Sequence, residues 1–277
     1  MIKFISKIFR LIPSVIPGKM RLAKAFLYRI PDQEAEINAS NCKLIVPSLK
    51  EPIAFHLLAN GVYEPETTAL LMKALNPGSV FVDVGANIGI FTVLAAKRVG
   101  PSGTVIAIES SPKIFPYLHK NVSLNSLSNV RVKQCAAYDQ CSNLPFYEAP
   151  ADHFGMGSLS PQFHAQPISV VTQTLDHILE EEKVKRVDVL KVDVEGFEAA
   201  VFKGARQLLT GKNPPLIVFE FCDWAEARVP EGKVGDAQQV LKEWGYQIWS
   251  LSDFLRNKRS LSNIITKGSV MLVARKK

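Results

Sequence analysis

The residues best suited to bind a cofactor follow a short apolar run at residues 80–84, which is typical of a buried strand. Asp83, Gly85, Asn87 and Gly89 form the pattern Asp-x-Gly-x-Asn-x-Gly. Gly85 permits a sharp turn and the close approach of a ligand, and Asn87 is a natural N-cap for a following helix. Free N–H groups at a helix start attract anions such as a carboxylate. The pattern therefore predicts a cofactor site between a strand and a helix.

The glycine spacing and two nearby acids favour S-adenosylmethionine over a dinucleotide. The spacing is Gly-x-x-x-Gly, whereas dinucleotide folds use Gly-x-Gly-x-x-Gly around a pyrophosphate. Asp83 precedes the first glycine, where it could face the cationic amino or sulfonium group. Glu109 ends the next apolar run and could accept hydrogen bonds from both ribose hydroxyls, although such an acid suits NAD equally well. Plain turn chemistry and a solvated strand end are the alternatives for the glycines and for Glu109.

A second polar group ends another apolar run, in the sequence Lys-Val-Asp-Val-Glu-Gly of residues 191–196. Strand alternation would put Lys191, Asp193 and Glu195 on one side. A buried lysine needs a carboxylate partner, and an attacking alcohol benefits from a base that removes its proton. Asp193 is the first candidate for that base or for a hydroxyl anchor, Glu195 is the second and Glu220 is the third.

Two alternatives remain for these carboxylates. They could form an ion-paired cluster that only orders the loops, or they could bind a divalent metal that orients a diol. No histidine pattern supports the metal, so we predict none.

Apolar runs alternate with amphipathic segments over most of the chain, which indicates a buried parallel sheet covered by helices on both faces. The predicted strands are residues 80–84, 104–108, 130–136, 187–192, 216–219, 246–249 and 270–274. The predicted helices are residues 64–75, 87–99, 114–124, 199–209 and 237–244. We also expect two earlier strands, at residues 44–46 and 53–55.

Two segments depart from this alternation. Residues 139–186 form a long insertion with a glycine-bearing loop, and such insertions commonly cover active sites. His153 and His164 lie in it and could reach a substrate. Residues 1–28 are basic and have apolar residues at helical spacing. They could lie on an anionic membrane surface, but we favour packing of the apolar stripe on the main domain or on another subunit.

The bulk composition fits a globular protein of 277 residues with 47% hydrophobic and 21% charged residues. The net charge of +7 is concentrated at the two ends of the chain, so a continuous nucleic-acid groove is not indicated. No stretch approaches the roughly 20 apolar residues that span a bilayer. The four cysteines show no metal or disulfide pattern. We therefore expect a cytoplasmic protein with reduced thiols, with membrane-surface contact and homo-oligomer formation as open alternatives.

Two sequence blocks resemble known methyltransferases. VFVDVGANIGIFTVLAAKRVG, with TVIAIES, is similar to the Rossmann-like class I methyltransferases, which have seven strands. DVLKVDVEGFEAAVFKGARQLL, with PLIVFE, resembles the FkbM family. Shorter similar pieces lie at residues 61–64, 121–125 and 174–176, so the resemblance covers about residues 61–220. The sequence departs from the family at residues 110–112, where the family more often has proline directly after the acid.

The resemblance implies an O-methyltransferase that acts on a hydroxyl of a sugar, glycan or secondary metabolite. It implies residues 61–277 as the methyltransferase domain, after an extension of residues 1–60. The residues that it implies for the cofactor are Gly85, Asn87 and Gly89 around the methionine part with Asp83 nearby, Glu109 and the adjoining Ser110 at the ribose, Ala136 near the adenine, and Glu64 from the preceding segment.

Two other functions stay open at this point. Methyltransferases acting on base amino groups commonly carry an Asn/Asp-Pro-Pro-aromatic turn after the fourth strand, where this sequence has Asp-Val-Glu-Gly. An N- or nucleic-acid methyltransferase is therefore less favoured. The other is a catalytically silent protein that uses the fold for interactions.

Overall fold

The computed structural model describes residues 9–12, 18–29, 31–163 and 166–276. His164 and most of the first half of the basic N-terminal segment lie outside these residues. In the part of the chain that is described, no helix is long and apolar enough to cross a membrane.

The strands form one large sheet and two small ones. In chain order they are β1 (Ala35–Ala39), β2 (Cys42–Val46), β3 (Val80–Val84), β4 (Thr104–Glu109), β5 (Val130–Gln134), β6 (Ala136–Ala137), β7 (Ser142–Phe146), β8 (Ile168–Gln173), β9 (Val189–Val192), β10 (Leu216–Cys222), β11 (Tyr246–Ser250) and β12 (Ser269–Lys276). The seven-stranded sheet has the order β11-β12-β10-β9-β3-β4-β5. Strands β5, β4, β3, β9 and β10 are parallel, and β12 is antiparallel to both of its neighbours. The predicted fold class is confirmed.

The helices are mostly short and flank this sheet. They are α1 (Lys19–Leu27), α2 (Pro52–Asn60), α3 (Pro65–Ala74), α4 (Ile90–Val99), α5 (Phe115–Leu124), α6 (Leu175–Glu181), α7 (Glu198–Gly204), α8 (Arg206–Thr210), α9 (Asp223–Glu226), α10 (Asp236–Glu243) and α11 (Leu251–Leu255). The predicted helix at residues 199–209 is two helices, since the chain leaves helical geometry at Ala205 (φ −111°, ψ 22°).

The prediction of a strand at residues 53–55 is wrong, because these residues lie in α2. Glu51 caps this helix by accepting hydrogen bonds from the N–H groups of Ile53 and Ala54. Pro52 occupies the first helical turn, and Gly61 ends the helix in a left-handed conformation (φ 73°). An apolar run of this length is ambiguous, and the capping residues decide that it is helical.

The third predicted strand, residues 130–136, is divided between two sheets. β5 pairs with β4 in the main sheet, whereas Ala136–Ala137 pairs with β8. β8 also pairs with β7, so the predicted insertion at residues 139–186 contributes to an ordered three-stranded sheet. Strand β6 therefore connects the main sheet to the insertion.

The described residues of the N-terminal segment pack on the main domain. Phe9 and Ala23 are buried in a cluster with residues of the β1–β2 hairpin, α2 and α4. The fully buried Asn121 of α5 fixes the hairpin, because its side chain bonds both main-chain groups of Ile45 and also the carbonyl of Ile88. This packing agrees with the interpretation that we favoured for the apolar stripe. The domain boundary at residue 60 stays a prediction.

Candidate active site

A cavity of about 250 Å³ opens beyond the carboxyl ends of β3, β4 and β9. The strand order reverses here, since successive strands lie on opposite sides of β3, and ligands of doubly wound sheets bind at such a switch point. The predicted site residues that line the cavity are Glu64, Gly85, Asn87, Glu109, Ser110, Ala136, Lys191, Asp193, Glu195 and Glu220. Asp83 and Gly89 were also predicted to contact the cofactor, and they are not part of its wall.

Gly85 lies where two strand-end loops touch. A Cβ atom at this position would lie 1.8 Å from the carbonyl oxygen of Asp193, and the residue has φ 75°. Its N–H group and that of Ala86 donate to the carbonyl of Ile108, at 3.0 and 2.9 Å. Only glycine fits both the left-handed conformation and the contact, so the first loop is fixed between β4 and the end of β9.

The interpretation of Asn87 as the N-cap is wrong. Helix α4 begins at Ile90 with Gly89 at its N-cap position, and Asn87 has a left-handed conformation of φ 53°. The Asn87 Oδ1 atom accepts a hydrogen bond from the N–H of Ile88 at 2.7 Å, which fixes the turn locally. A Cβ atom on Gly89 would lie 2.7 Å from Leu118 Cδ1, so Gly89 serves the packing of α4 on α5.

Glu109 joins the two loops at the cofactor end of the cavity. Its carboxylate accepts one hydrogen bond from the N–H of Asn87 and one from the N–H of Ser111, both at 2.8 Å. Burial raises the pKa of Glu109 to about 7, although these main-chain donors oppose the shift. A carboxylate has about four acceptor positions, so ribose hydroxyls can still bind to this group.

Asp83 lies behind the cavity wall, which corrects the expectation that it faces the cofactor. It is paired in register with Lys191 of the neighbouring strand, and it accepts a hydrogen bond from the hydroxyl of Thr92 at 2.6 Å. Burial raises the pKa of Asp83, while the charge of Lys191 lowers it. Asp83 therefore stabilises the positive charge of Lys191 and does not face the cavity.

Lys191 pairs with Asp193, as the sequence predicted. The Nζ atom lies 2.8 Å from Asp193 Oδ2 and 5.2 Å from the centre of the Phe91 ring, and the lysine side chain is only 2% exposed. Burial lowers the pKa of Lys191, but the carboxyl groups of Asp193, Asp83 and Glu64 raise it well above its usual value. The lysine is therefore a fixed positive charge at the end of β9.

Asp193, Glu195 and Glu220 bring their carboxyl groups together, with one oxygen of each within 4.8 Å of the others. Strand β9 ends at Val192 and Glu195 has φ 54°, so the loop and not strand alternation produces this cluster. Burial and the neighbouring acids raise the pKa of Glu195 to about 9 and that of Glu220 to about 8. Both shifts favour the protonated form of these two glutamates near neutral pH.

The same spacing would let three carboxylate oxygens contact one divalent cation. The expectation that no metal is involved stays a prediction. A cluster in which Glu195 and Glu220 are protonated is the alternative that needs no ion.

The insertion covers both ends of the cavity, as expected for a segment that encloses a substrate. A Cβ atom on Gly155 would lie 3.0 Å from Asn87 Nδ2, and the Ser158 hydroxyl donates to the Glu195 carbonyl at 3.1 Å. His153 also lines the cavity, and its ring centre lies 6.1 Å from that of Phe163. Movement of this loop stays a prediction.

The sequence interpretation missed Glu51 and Tyr63, which line the cavity from the segment before the main sheet. Burial raises the pKa of Glu51 to about 7 and that of Tyr63 well above its usual value. Pro52 at the first helical position is a helix-start signal, and it would have indicated a helix beginning here.

The fold and the site define a class of protein. A seven-stranded sheet of this order, with a glycine turn after its first parallel strand and a buried acid after the second, is that of the S-adenosylmethionine-dependent methyltransferases. The sequence model of the methyltransferase FkbM domain matches residues 83–248, which is more than half of the chain. The chain belongs to the FkbM methyltransferase family, is an enzyme and uses S-adenosylmethionine.

Three relatives show the range of this similarity. Methyltransferase 1 of Beauveria bassiana is 30% identical over 193 residues, which are 61% of this chain and 73% of the relative. The hexuronic acid methyltransferase AglP of Haloferax volcanii is 26% identical over 179 residues, which are 65% of this chain and 70% of the relative. The 31-O-demethyl-FK506 methyltransferase FkbM of Streptomyces tacrolimicus is 26% identical over 218 residues, and the match covers 65% of this chain and 76% of the relative.

Proposed function

We propose that this enzyme transfers the methyl group to a hydroxyl oxygen of a sugar or secondary metabolite. The observation that carries the proposal is the carboxyl cluster at the ends of β9 and β10, which faces the cavity and contains the Asp193–Lys191 pair. A hydroxyl needs a base as it attacks, whereas a neutral amine can attack through its own lone pair. The names of two relatives, a hexuronic acid and a 31-O-demethyl-FK506 methyltransferase, agree with such acceptors.

The residues of the cavity suit S-adenosylmethionine by their chemistry. Gly85 and Asn87 form a backbone turn at the cavity wall, and the side-chain amide of Asn87 is also available there. At the end of β4, Glu109 has acceptor positions for the ribose hydroxyls. When bound, the cofactor supplies an electrophilic methyl group on a sulfonium. The task of the chain is to hold the acceptor oxygen in line with that group, and such positioning provides much of the acceleration.

Asp193 is proposed as the base. Its Oδ2 atom is held by Lys191 at 2.8 Å, so Oδ1 is the oxygen that would accept the proton of the acceptor hydroxyl. Glu195 and Glu220, protonated near neutral pH, would donate hydrogen bonds to other oxygens of the acceptor. A polyol offers several oxygens to such donors, which supports a sugar or a polyhydroxylated metabolite.

The charge of the cavity disfavours a nucleic acid. In the described part of the chain, the cavity wall has six carboxyl residues and one lysine: Glu51, Glu64, Glu109, Asp193, Glu195, Glu220 and Lys191. Binding of a phosphate backbone requires a basic surface instead.

A labelling experiment tests the proposal. The enzyme is incubated with S-adenosylmethionine carrying a ¹³C methyl group and with a metabolite extract of its source organism, and the products are identified by NMR. We expect a labelled methoxy group on a small molecule. Label on nitrogen, on carbon or in RNA would contradict O-methylation.

The role of Asp193 is tested with the acceptor found in this way. Asp193→Asn should reduce kcat by about 10²–10⁴-fold, because the base is lost, while the Kd for S-adenosylmethionine changes only a few-fold. Asp139→Asn, an exposed position in the insertion, is the matched control and should keep full activity. If Asp193→Asn weakens cofactor binding as much as it slows turnover, Asp193 is a cofactor or structural residue and not the base.

A further inference from the structure

Helix α1 exposes large apolar side chains that do not take part in the core. Leu22 is 64% exposed and Tyr28, directly after the helix, is 54% exposed. Leu11, in the short helical stretch of residues 9–11 earlier in the chain, is 83% exposed. These are three of the five exposed large hydrophobic residues in the described part of the chain. Isolated exposed apolar residues are ordinary, but a concentration in one short segment marks an interaction surface.

The same helix face is basic. Arg21, Lys24 and Arg29 are exposed, and the chain has no acidic residue before Asp32. Positions 21, 24 and 28 form one row along a helix, and positions 22, 25 and 29 form the adjacent row. The exposed face therefore alternates basic and apolar side chains, and the buried face carries Ala23.

The segment is fixed to the enzyme. Phe9 and Ala23 are buried in the hydrophobic cluster shared with α2, and the guanidinium of Arg10 donates to the carbonyl of Leu57 at 2.9 Å. Whatever binds the exposed face therefore binds the folded enzyme and not a free tail.

We propose that the exposed face of α1 and of the turn that follows it, formed by Arg21, Leu22, Lys24, Tyr28 and Arg29, docks the enzyme on an anionic membrane surface. Basic side chains are attracted to anionic headgroups, and interleaved apolar side chains enter the headgroup boundary. Charge complementarity selects this occupant, because the face has no acid that would pair with the lysines and arginines of a mixed protein surface.

The experiment uses the full chain and sedimentation with two kinds of vesicle, one of phosphatidylcholine alone and one that also contains phosphatidylserine. The wild-type protein should sediment with the anionic vesicles, remain in solution with the neutral ones, and lose most binding at high salt. Arg21→Glu combined with Lys24→Glu should lower the partition coefficient by roughly 10-fold or more.

A matched control separates the face from net charge alone. Lys212→Glu combined with Lys233→Glu makes the same change of charge at exposed positions elsewhere and should keep vesicle binding. Both double variants should bind S-adenosylmethionine like the wild type, which shows that they are folded. The proposal is overturned if the wild type fails to bind anionic vesicles, or if the control variant loses as much binding as the α1 variant.

Discussion

The two ends of the cavity hold their carboxyl groups in different ways. At the cofactor end, Glu109 accepts hydrogen bonds from the main chain at Asn87 and Ser111. At the acceptor end, the bonds to Asp193 and Glu220 come from the side chains of Lys191 and Ser269. Main-chain donors are fixed by the fold, whereas side-chain donors depend on residue type and protonation. The cofactor end is therefore a rigid frame, and the acceptor end is a cluster whose hydrogen bonds depend on the side chains present.

This difference separates the residues that frame the cofactor end from those that would bind the acceptor. The frame depends on a glycine turn and one acid, which other residues cannot replace without moving the backbone. The cluster is assembled from the loop after β9 and from β10, and the insertion covers it through Ser158. Replacement of single side chains there changes the chemistry and leaves the sheet intact.

Gly85→Ala should give the largest effect, because it breaks the rigid frame. The new Cβ atom would lie 1.8 Å from the Asp193 carbonyl oxygen, so the two loops must separate. We expect a loss of S-adenosylmethionine affinity of at least about 100-fold and destabilisation of several kcal/mol, as for other strained or overpacked positions. Calorimetric titration and denaturant unfolding measure the two effects.

Gly100→Ala is the matched control for this prediction. Gly100 also has a positive φ, of 67°, but a Cβ atom there has no neighbour within 4 Å. It should lose about 1–3 kcal/mol, because its backbone conformation (ψ −176°) is one that only glycine adopts readily, and it should bind the cofactor normally. Equal behaviour of the two variants would mean that strain, and not contact between the loops, makes Gly85 necessary.

The sequence alone predicts the frame well, because its signal is local. The glycine turn, Glu109 and the alternation of strands and helices each lie within a few residues, and the structure agrees with them. The Lys191–Asp193 pair is also local, since a single residue lies between the partners.

Other features could not be predicted because they depend on distant pairing. Asp83 faces Lys191 only through the register of β3 with β9, which joins positions far apart in the chain. Without that register, an acid before the first glycine looks like a cofactor ligand. In the same way, Glu51 reaches the cavity only because α2 packs beside it.

A smaller effect should follow from the protonation of Glu109. Its pKa of about 7 means that below this pH the carboxyl becomes neutral and accepts hydrogen bonds from ribose hydroxyls less well. Binding of methylthioadenosine, which keeps the ribose but lacks the ionisable amino-acid part, should weaken about 10-fold from pH 8 to pH 6. Glu109→Gln should bind more weakly at pH 8 and show little dependence on pH. If the pH dependence persists in this variant, a group other than Glu109 causes it.

The smallest expected effect is on how the stability of the protein depends on pH, and it comes from the carboxyl cluster at the acceptor end. Burial and the neighbouring charges raise the pKa of Glu220 from 4.5 to about 8, so its proton is held more tightly in the folded protein. The stability that this proton provides is complete below pH 4.5 and is lost as the pH rises toward 8.

The variant Glu220→Gln has no such loss, so its Tm relative to the wild type should increase between pH 5 and pH 8. We expect a relative increase of at least roughly 2–4 °C, which corresponds to about 1 kcal/mol in a domain of this size. The exposed Glu180→Gln serves as the control and should show a Tm difference near zero at both pH values. A Tm difference for Glu220→Gln that stays constant or decreases with pH would mean that the cluster is as well solvated as the surface, and the contrast between the two ends of the cavity would then rest on geometry alone.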